Sequence, residues 1–257
     1  MEKKRYRCEA TSLEGFVQLL ASNILPHGYW FYVTGFVPDR KDPAKIDQKL
    51  IEKYGVDLSR QQRARRKLLR QANLHYLRLD RFWVLLATHG QHRFFVEEGE
   101  NVRDVRRTPL LVGGYSLSVK RGHYLRKVSG DAEPVADGRM RVRVQIARER
   151  YRELVSYFLS VACHRSAESL SRELFLVPFE PYAPIRRQLL NALRLVNAKR
   201  QQAGYTKIPP GVLRYKRNIV HPFAPVLEVK RETFDGQPSE PEASPLARLS
   251  RLRDEVY

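Results

Sequence analysis

The sequence predicts an α+β protein with a mixed, mainly antiparallel sheet in its N-terminal half and a helical C-terminal half. Strand-length runs of aromatic and β-branched residues recur before residue 146, and two capped helical segments interrupt them. After residue 147 the spacing of apolar residues becomes helical. We therefore expect an α+β sheet domain at 10–146, a helical basic region at 147–228, and a disordered linker with a short C-terminal helix at 229–257. The linker includes RETFDGQPSEPEASP, which has a composition typical of disorder.

The first predicted elements are a buried strand and a capped helix. The strand lies in GYWFYVTGFVP, which is aromatic and β-branched and ends at Pro38. In KDPAKIDQKLIEKYG, Asp42 is the expected N-cap, Pro43 the first helical residue and Gly55 the stop. Three residues spaced by four are expected to face the core: Ile46, Leu50 and Tyr54.

A second, strongly basic helix is predicted in DLSRQQRARRKLLRQAN, with Ser59 as its cap. Arg63, Arg66 and Arg70 share one face of this helix by their i, i+3 and i+7 spacing. Seven Lys and Arg residues, and no carboxylate, lie in the window 58–79. Solvated surfaces usually mix both signs of charge, so this window indicates contact with a polyanion.

The next elements are predicted strands. LHYLRLDRFWVLLAT predicts two strands joined near Asp80 and Arg81, and four further segments are strand-like: HRFFV, PLLVGGYSLSVK, HYLRKV and RMRVRVQI. The stretch from Gly99 to Thr108 has no clear strand pattern, and a helical turn is one alternative there.

RMRVRVQI shows the clearest alternation in the chain. Its apolar and charged positions face opposite ways: Val142, Val144 and Ile146 on one side, and Arg139, Arg141 and Arg143 on the other. Two explanations stay open. The arginines form a rigid cationic ladder that contacts phosphates, or they protect an edge strand from aggregation.

Three helices are predicted in the C-terminal half. The first, in ARERYRELVSYFLSVAC, has an apolar stripe from Tyr151 to Ala162, and Ser166 caps the second. The third runs from Pro184 to Gly204 and carries Arg187, Arg194 and Gln201 on its polar face. A basic loop with two tyrosines follows, and nine Lys and Arg with no carboxylate lie in the window 181–227. A cationic helix face followed by such a loop is typical of docking on a nucleic-acid backbone.

The charge balance predicts the class of partner. The chain has 47 Lys and Arg against 28 Asp and Glu, a net charge of +19. Nucleic acid is the commonest polyanionic partner of such a protein. An anionic membrane surface is the alternative, but it requires a cationic amphipathic helix with a Trp or Phe face, and the sequence has no convincing one. We therefore expect no membrane partner, and no run of 18 apolar residues and no secretory signal is found either. The two cysteines, far apart in sequence, predict a reducing compartment and a cytoplasmic location.

His89 and His92 are the candidate catalytic residues. They could act as general acid and base or as metal ligands, with Glu97, Glu98 and Asp104 as further carboxylates. A zinc site usually needs two such pairs, and HGQ more simply predicts a turn at the end of a hairpin, so no metal is expected. No cofactor is expected either, because VGGYS lacks phosphate-loop spacing.

Together these patterns predict a protein that binds RNA or DNA through its phosphate backbone. Its expected contacts are seventeen basic residues: Arg60, Arg63, Arg65, Arg66, Lys67, Arg70, Arg139, Arg141, Arg143, Arg187, Arg194, Lys199, Arg200, Lys207, Arg214, Lys216 and Arg217. Two alternatives stay open: a nuclease that uses His89 and His92, and a structural component of a ribonucleoprotein. A role in a mobile element or a defence system is a hypothesis that rests on charge alone.

Overall fold

The computed structural model describes residues 6–122, 125–126 and 135–223, and the predicted linker and terminal helix at 229–257 lie outside them. The described chain divides into two compact units. The first takes its residues from Met1–Leu110, Leu117–Arg143 and Val220–Leu227, and the second from Leu111–Ser116 and Val144–Ile219.

A five-stranded sheet organises the first unit. Its order is β1-β3-β4-β2-β5, and its strands are β1 Glu9–Ala10, β2 Phe31–Phe36, β3 Leu74–Leu79, β4 Phe82–Ala87 and β5 Arg103–Asp104. Strand β1 pairs with β3 in parallel, and the other neighbours pair antiparallel. The predicted mixed, mainly antiparallel sheet is therefore confirmed, as is the hairpin that turns at Asp80 and Arg81.

Four helices belong to this unit: α1 Leu13–Leu19, α2 Pro43–Tyr54, α3 Arg60–Leu68 and α4 Arg93–Glu97. Helix α1 begins at Ser12, whose hydroxyl accepts a hydrogen bond from the Gly15 N–H, and continues into a π turn and a 3₁₀ turn that end at His27. Our sequence reasoning did not predict α1. The caps of α2 are as predicted, since the Asp42 side chain accepts from the Ala44 N–H and Gly55 adopts a left-handed conformation.

The segment HRFFV was expected to be a strand, and this expectation is wrong. The His92 side chain accepts a hydrogen bond from the Phe94 N–H at 3.1 Å and so begins helix α4. Phe94 is fully buried, whereas Val96 is 83% exposed. Five residues are too few for an apolar period to distinguish a helix from a strand. The histidine cap therefore determines that this segment is helical. A 3₁₀ turn follows at Gly99–Asn101, which is one of the alternatives that the sequence allowed.

The remaining strands are β6 Leu110–Val112, β7 Tyr115–Arg121, β8 Leu125–Arg126, β9 Val135–Ala136 and β10 Met140–Ile146. Strands β10, β7 and β6 form a three-stranded sheet in that order, and β8 pairs with β9. Of the predicted strand HYLRKV, only Leu125–Arg126 is described. The alternation of β10 is confirmed, because Val144 and Ile146 are buried while Arg141 and Arg143 are exposed.

The C-terminal half is helical, as predicted, and its described helices belong to the second unit. Its helices are α5 Arg148–Val161, α6 Ala167–Phe175 and α7 Ala183–Gln202, with a 3₁₀ turn at Pro210–Val212. Ser166 caps α6, and the inward face of α7 is buried. Tyr157, which lies off the predicted apolar stripe of α5, is also buried and donates a hydrogen bond to Glu173 at 2.6 Å.

The core of the first unit contains a buried ion pair between Asp47 of α2 and Arg78 of β3. The Arg78 Nε donates to both Asp47 oxygens at 2.9 and 3.0 Å, and its Nη2 lies 3.1 Å from Glu9. The Tyr76 hydroxyl donates to the same Asp47 carboxylate at 2.7 Å. This network ties α2 to the sheet, and α3 follows α2 after five residues.

Candidate nucleic-acid interface

Helix α3 has no buried residue, so its caps and one arginine hold it in place. Ser59 Oγ accepts a hydrogen bond from the Gln62 N–H, and the Gln62 side chain accepts one from the Ser59 N–H, which together form a capping box. The Arg63 guanidinium donates to the Tyr29 hydroxyl at 2.9 Å and to three backbone carbonyls, those of Val56, Leu58 and Leu74. Arg63 therefore anchors α3, and its donors are used inside the protein.

Four exposed cations on α3 and the turn after it form what we call the α3 surface: Arg60, Arg65, Lys67 and Arg70. Within the described part of the chain, none of the four takes part in an ion pair. Arg70 lies beyond the helix in a left-handed conformation with φ 54°, so it does not share a helical face with Arg63 and Arg66 as expected. Leu68 and Leu69, 85% and 61% exposed, lie among these charges.

Arg66 differs from its neighbours because it is half-buried and lines a cavity of about 640 Å³, which we call the Arg66 cavity. The Nη1 atom of Arg66 is buried and has no hydrogen-bond partner among the residues that the structure describes. The other polar residues of the wall are Glu52, Tyr54, Gln71, Gln91, His92 and Arg93. The cavity is therefore polar and has more cationic than anionic character.

A single bridge between two distant turns closes the wall of this cavity. Gln71 and Gln91 pair in parallel, with the Ala72 N–H donating to Gln91 O at 3.1 Å and the Gln91 N–H donating to Arg70 O at 2.9 Å. Gly90 has φ 138°, and a Cβ there would lie 2.6 Å from the Ala72 nitrogen. Only glycine fits this close approach.

The two candidate catalytic histidines have different surroundings. His92 lines the Arg66 cavity, and because its Nδ1 accepts the Phe94 N–H, its ring is neutral there. Burial lowers the pKa of His92, and the charges of Arg66 and Arg93 lower it further. His89 is exposed beyond the end of β4. Their use in catalysis stays a prediction.

The three arginines predicted as a ladder are all exposed at or beside β10. Arg141, the middle one, forms an ion pair with Asp137, in which Nη1 donates to Oδ1 at 3.0 Å. This carboxylate neutralises part of the ladder. Both explanations of Arg139, Arg141 and Arg143 therefore stay open.

In the second unit, the predicted cations of α7 differ in accessibility. Arg187 and Arg194 are exposed, whereas Arg200 is only 2% exposed. The Arg200 guanidinium donates to the carbonyls of three residues at 2.7 to 3.1 Å: Ala162, Arg165 and Thr206. Arg200 therefore holds the end of α7 and is not accessible to a partner. Lys199 is exposed, and its Nζ donates to Leu159 O at 2.9 Å.

The loop after α7 combines one structural arginine with exposed cations. Arg214 donates to Glu180 Oε1 at 2.7 Å and to Phe179 O at 3.1 Å. Glu180 is itself buried, so this ion pair holds the loop on the unit. Three other predicted contacts are exposed: Lys207, Lys216 and Arg217.

Aromatic rings accompany these cations. The Arg217 guanidinium lies 4.5 Å from the ring centroid of Tyr182, and that of Arg186 lies 5.9 Å from Tyr215. Tyr205 and Tyr215 are 49% and 50% exposed. Half-exposed rings beside guanidinium groups can stack on unpaired bases.

Sequence reasoning missed most of the Arg66 cavity. Only Arg66 and His92 were predicted as site residues, and the other polar residues come from segments that are separated along the chain. The one local signal is Gly90, which the sequence identifies as a turn residue but not as the partner of another turn.

Within the described residues, no three His, Cys, Asp or Glu side chains come together in a way that could hold a metal ion. The described helices also include none that is long and apolar enough to cross a bilayer. No protein-family model matches the chain, and comparisons with curated proteins and with solved structures give no match either.

Proposed function

We propose that this protein binds nucleic acid through the phosphate backbone. The observation that supports the proposal most directly is the α3 surface, where four exposed cations without an ion pair in the described structure follow one another in a segment that contains no carboxylate. The proposed interface also includes exposed cations of the second unit: Arg187, Arg194, Lys207, Lys216 and Arg217. Phosphates attract such cations, and the release of counterions from the nucleic acid supplies much of the affinity.

The aromatic rings of the second unit favour a partner with unpaired bases. Tyr205 and Tyr215 expose about half of their surface beside Arg200 and Arg186, respectively. Bases that are stacked in a duplex cannot reach such rings, whereas single-stranded bases can. We therefore propose that affinity for single strands exceeds affinity for a duplex of the same length.

Salt dependence of binding tests the proposal. Affinity for a labelled oligonucleotide is measured between 50 and 200 mM salt, a range over which each phosphate contact has a measurable effect. Replacing Arg60, Arg65, Lys67 and Arg70 by Gln removes four charges. The slope of log K against log salt should then flatten by up to about 3.6 on duplex DNA and about 2.8 on a single strand, at roughly 0.9 and 0.7 per phosphate.

A matched control comes from the same unit. Arg40, Lys41, Lys45 and Lys49 are also exposed, but they lie in a segment that contains carboxylates. Replacing them by Gln removes the same charge and should change the slope by less than half as much. Equal effects of the two quadruple variants, or no binding of any nucleic acid at 50 mM salt, would overturn the proposal.

The proposal includes a cytoplasmic location, which the two free cysteines, Cys8 and Cys163, favour because they suit a reducing compartment. It does not include cleavage by His89 and His92 or a structural role in a ribonucleoprotein, since no contact in the described residues favours either.

A further inference from the structure

The Arg66 cavity has a size that suits a small organic ligand. Its volume is about 640 Å³, within the range of roughly 300–1,000 Å³ that is common for such sites. A bare phosphate or chloride ion would fill only a small part of it. The ligand that fits is therefore larger than a simple ion.

Two guanidinium groups make the wall attractive to an anion. Arg66 lines the cavity, and its Nη1 atom is buried without a hydrogen-bond partner among the described residues. A shift of this guanidinium toward a ligand oxygen would therefore satisfy a donor that the protein leaves unsatisfied. Arg93 also lines the cavity, and its contact with Glu97 is long, at 3.9 Å. Glu97 lies closer to Lys53, at 2.9 Å, so Arg93 remains available.

One carboxylate, that of Glu52, also lines the cavity, and its Oε1 accepts a hydrogen bond from the Gln48 side chain at 2.8 Å. The net charge of the lining is therefore positive, with Arg66 and Arg93 against Glu52 and with His92 neutral. Paired guanidinium groups bind phosphate and carboxylate oxygens in a bidentate manner.

The remaining polar wall suits a base or a sugar. Gln71 and Gln91 are opposite partners in the bridge, so their side chains leave the backbone on the same side. Each amide offers both donors and an acceptor, the combination that reads the edge of a base. Val96, 83% exposed, adds an apolar part to the lining.

We propose that the Arg66 cavity binds one nucleotide, with its phosphate on Arg66 and Arg93 and its base or sugar against Gln71 and Gln91. The nucleotide is either the phosphorylated end of a bound strand or a free mononucleotide. If the nucleotide is the end of a bound strand, the inference rests on the proposed function. If it is a free mononucleotide, the inference is independent of that function.

Two binding measurements distinguish the sources. In one, oligonucleotides of one sequence carry a 5′-phosphate, a 3′-phosphate or no terminal phosphate, and their dissociation constants are compared. In the other, nucleoside monophosphates and inorganic phosphate are titrated into the full-length protein. A strand-end site should favour one phosphorylated end by about tenfold or more, the contribution of one charge-assisted hydrogen bond. A mononucleotide site should bind a nucleoside monophosphate and hold inorganic phosphate more weakly.

The variants Arg66→Gln and Arg65→Gln form a matched pair. Both residues lie on α3 and carry one charge, but Arg65 is exposed and does not line the cavity. The preference for a phosphorylated end, or the binding of the mononucleotide, should disappear in Arg66→Gln and persist in Arg65→Gln. Because the Gln91 contacts in the bridge use backbone atoms, Gln91→Glu keeps the bridge and should weaken binding by repulsion.

The outcomes separate this inference from the proposed function. If all oligonucleotides bind equally and no mononucleotide binds, the cavity has no nucleotide site although the proposed function stands. If no oligonucleotide binds but a mononucleotide binds through Arg66, the proposed function fails and the cavity is a nucleotide site. Equal losses in Arg66→Gln and Arg65→Gln would overturn the inference in either form.

Discussion

His75 is predicted to make the stability of the first unit depend on pH. Its ring lies between those of Tyr6 and Tyr29, with centroids 5.7 and 5.8 Å away, and its Nδ1 is hydrogen-bonded to the Tyr6 hydroxyl at 2.6 Å. Burial lowers the pKa of His75 from 6.5 to about 4, and the nearby charge of Arg63 contributes. Arg63 is the anchor of α3, so a proton on His75 would place a second positive charge beside that anchor.

The sign and size of the effect follow from proton linkage. Above pH 6.5 the histidine is neutral in both the folded and the unfolded chain. Between pH 6.5 and about 4 the unfolded chain binds the proton and the folded protein does not, so the free energy of unfolding falls as the pH falls. With roughly 1.4 kcal/mol for each pKa unit, the loss reaches about 2 kcal/mol at pH 5 and about 3 kcal/mol at pH 4.

Urea unfolding of the full chain between pH 7.5 and 4 measures this loss, with His75→Phe as the reference. Phenylalanine keeps a ring between Tyr6 and Tyr29 but does not titrate. The carboxylates contribute equally to both proteins, so their contribution cancels in the difference between the two free energies of unfolding. The unfolding free energy of the unsubstituted protein minus that of His75→Phe should fall by about 2 kcal/mol between pH 7.5 and 5 and by about 3 kcal/mol at pH 4. A difference that stays constant from pH 7.5 to 4 would refute the assigned burial of His75.

Three further substitutions test the structure by urea or thermal unfolding. Asp47→Ala leaves buried Arg78 without its main partner and should cost about 3–5 kcal/mol; a loss below 1 kcal/mol would contradict the buried ion pair. Arg200→Met removes a buried guanidinium that three carbonyls bind, and should cost at least about 2 kcal/mol, whereas unchanged stability would mean that this arginine is exposed. Gly90→Ala should cost about 1–3 kcal/mol because of its φ and the approach to Ala72, and a neutral result would contradict the bridge.

The elements that the sequence predicts correctly are those with local signals. The caps of α2 lie within a few residues of the helix that they begin or end, and the alternation of β10 needs no distant partner. The segment at Arg93–Glu97 shows the limit, because its helix depends on a histidine cap that is rare and on a short run without a period.

The roles of individual cations could not be predicted in the same way. Arg63 and Arg200 look like their neighbours in the sequence, yet each binds carbonyls from several parts of its unit. Which arginine turns inward depends on where unpaired carbonyls lie in the folded chain. The Arg66 cavity has the same origin, since only the pairing of two turns brings Arg66 and Arg93 to one wall.

Because some cations bind carbonyls inside the protein and others are exposed, the choice of variants for testing nucleic-acid binding changes. The spacing of Arg63, Arg66 and Arg70 suggests a variant in which the charges of all three residues are reversed together. In the structure, however, reversing Arg63 would place a carboxylate among the carbonyls that it now binds and would release α3, so any loss of binding would reflect unfolding. Replacing the α3 surface instead leaves Arg63 and Arg66 in place. A loss of affinity with an unchanged unfolding curve would then report contact with phosphate alone.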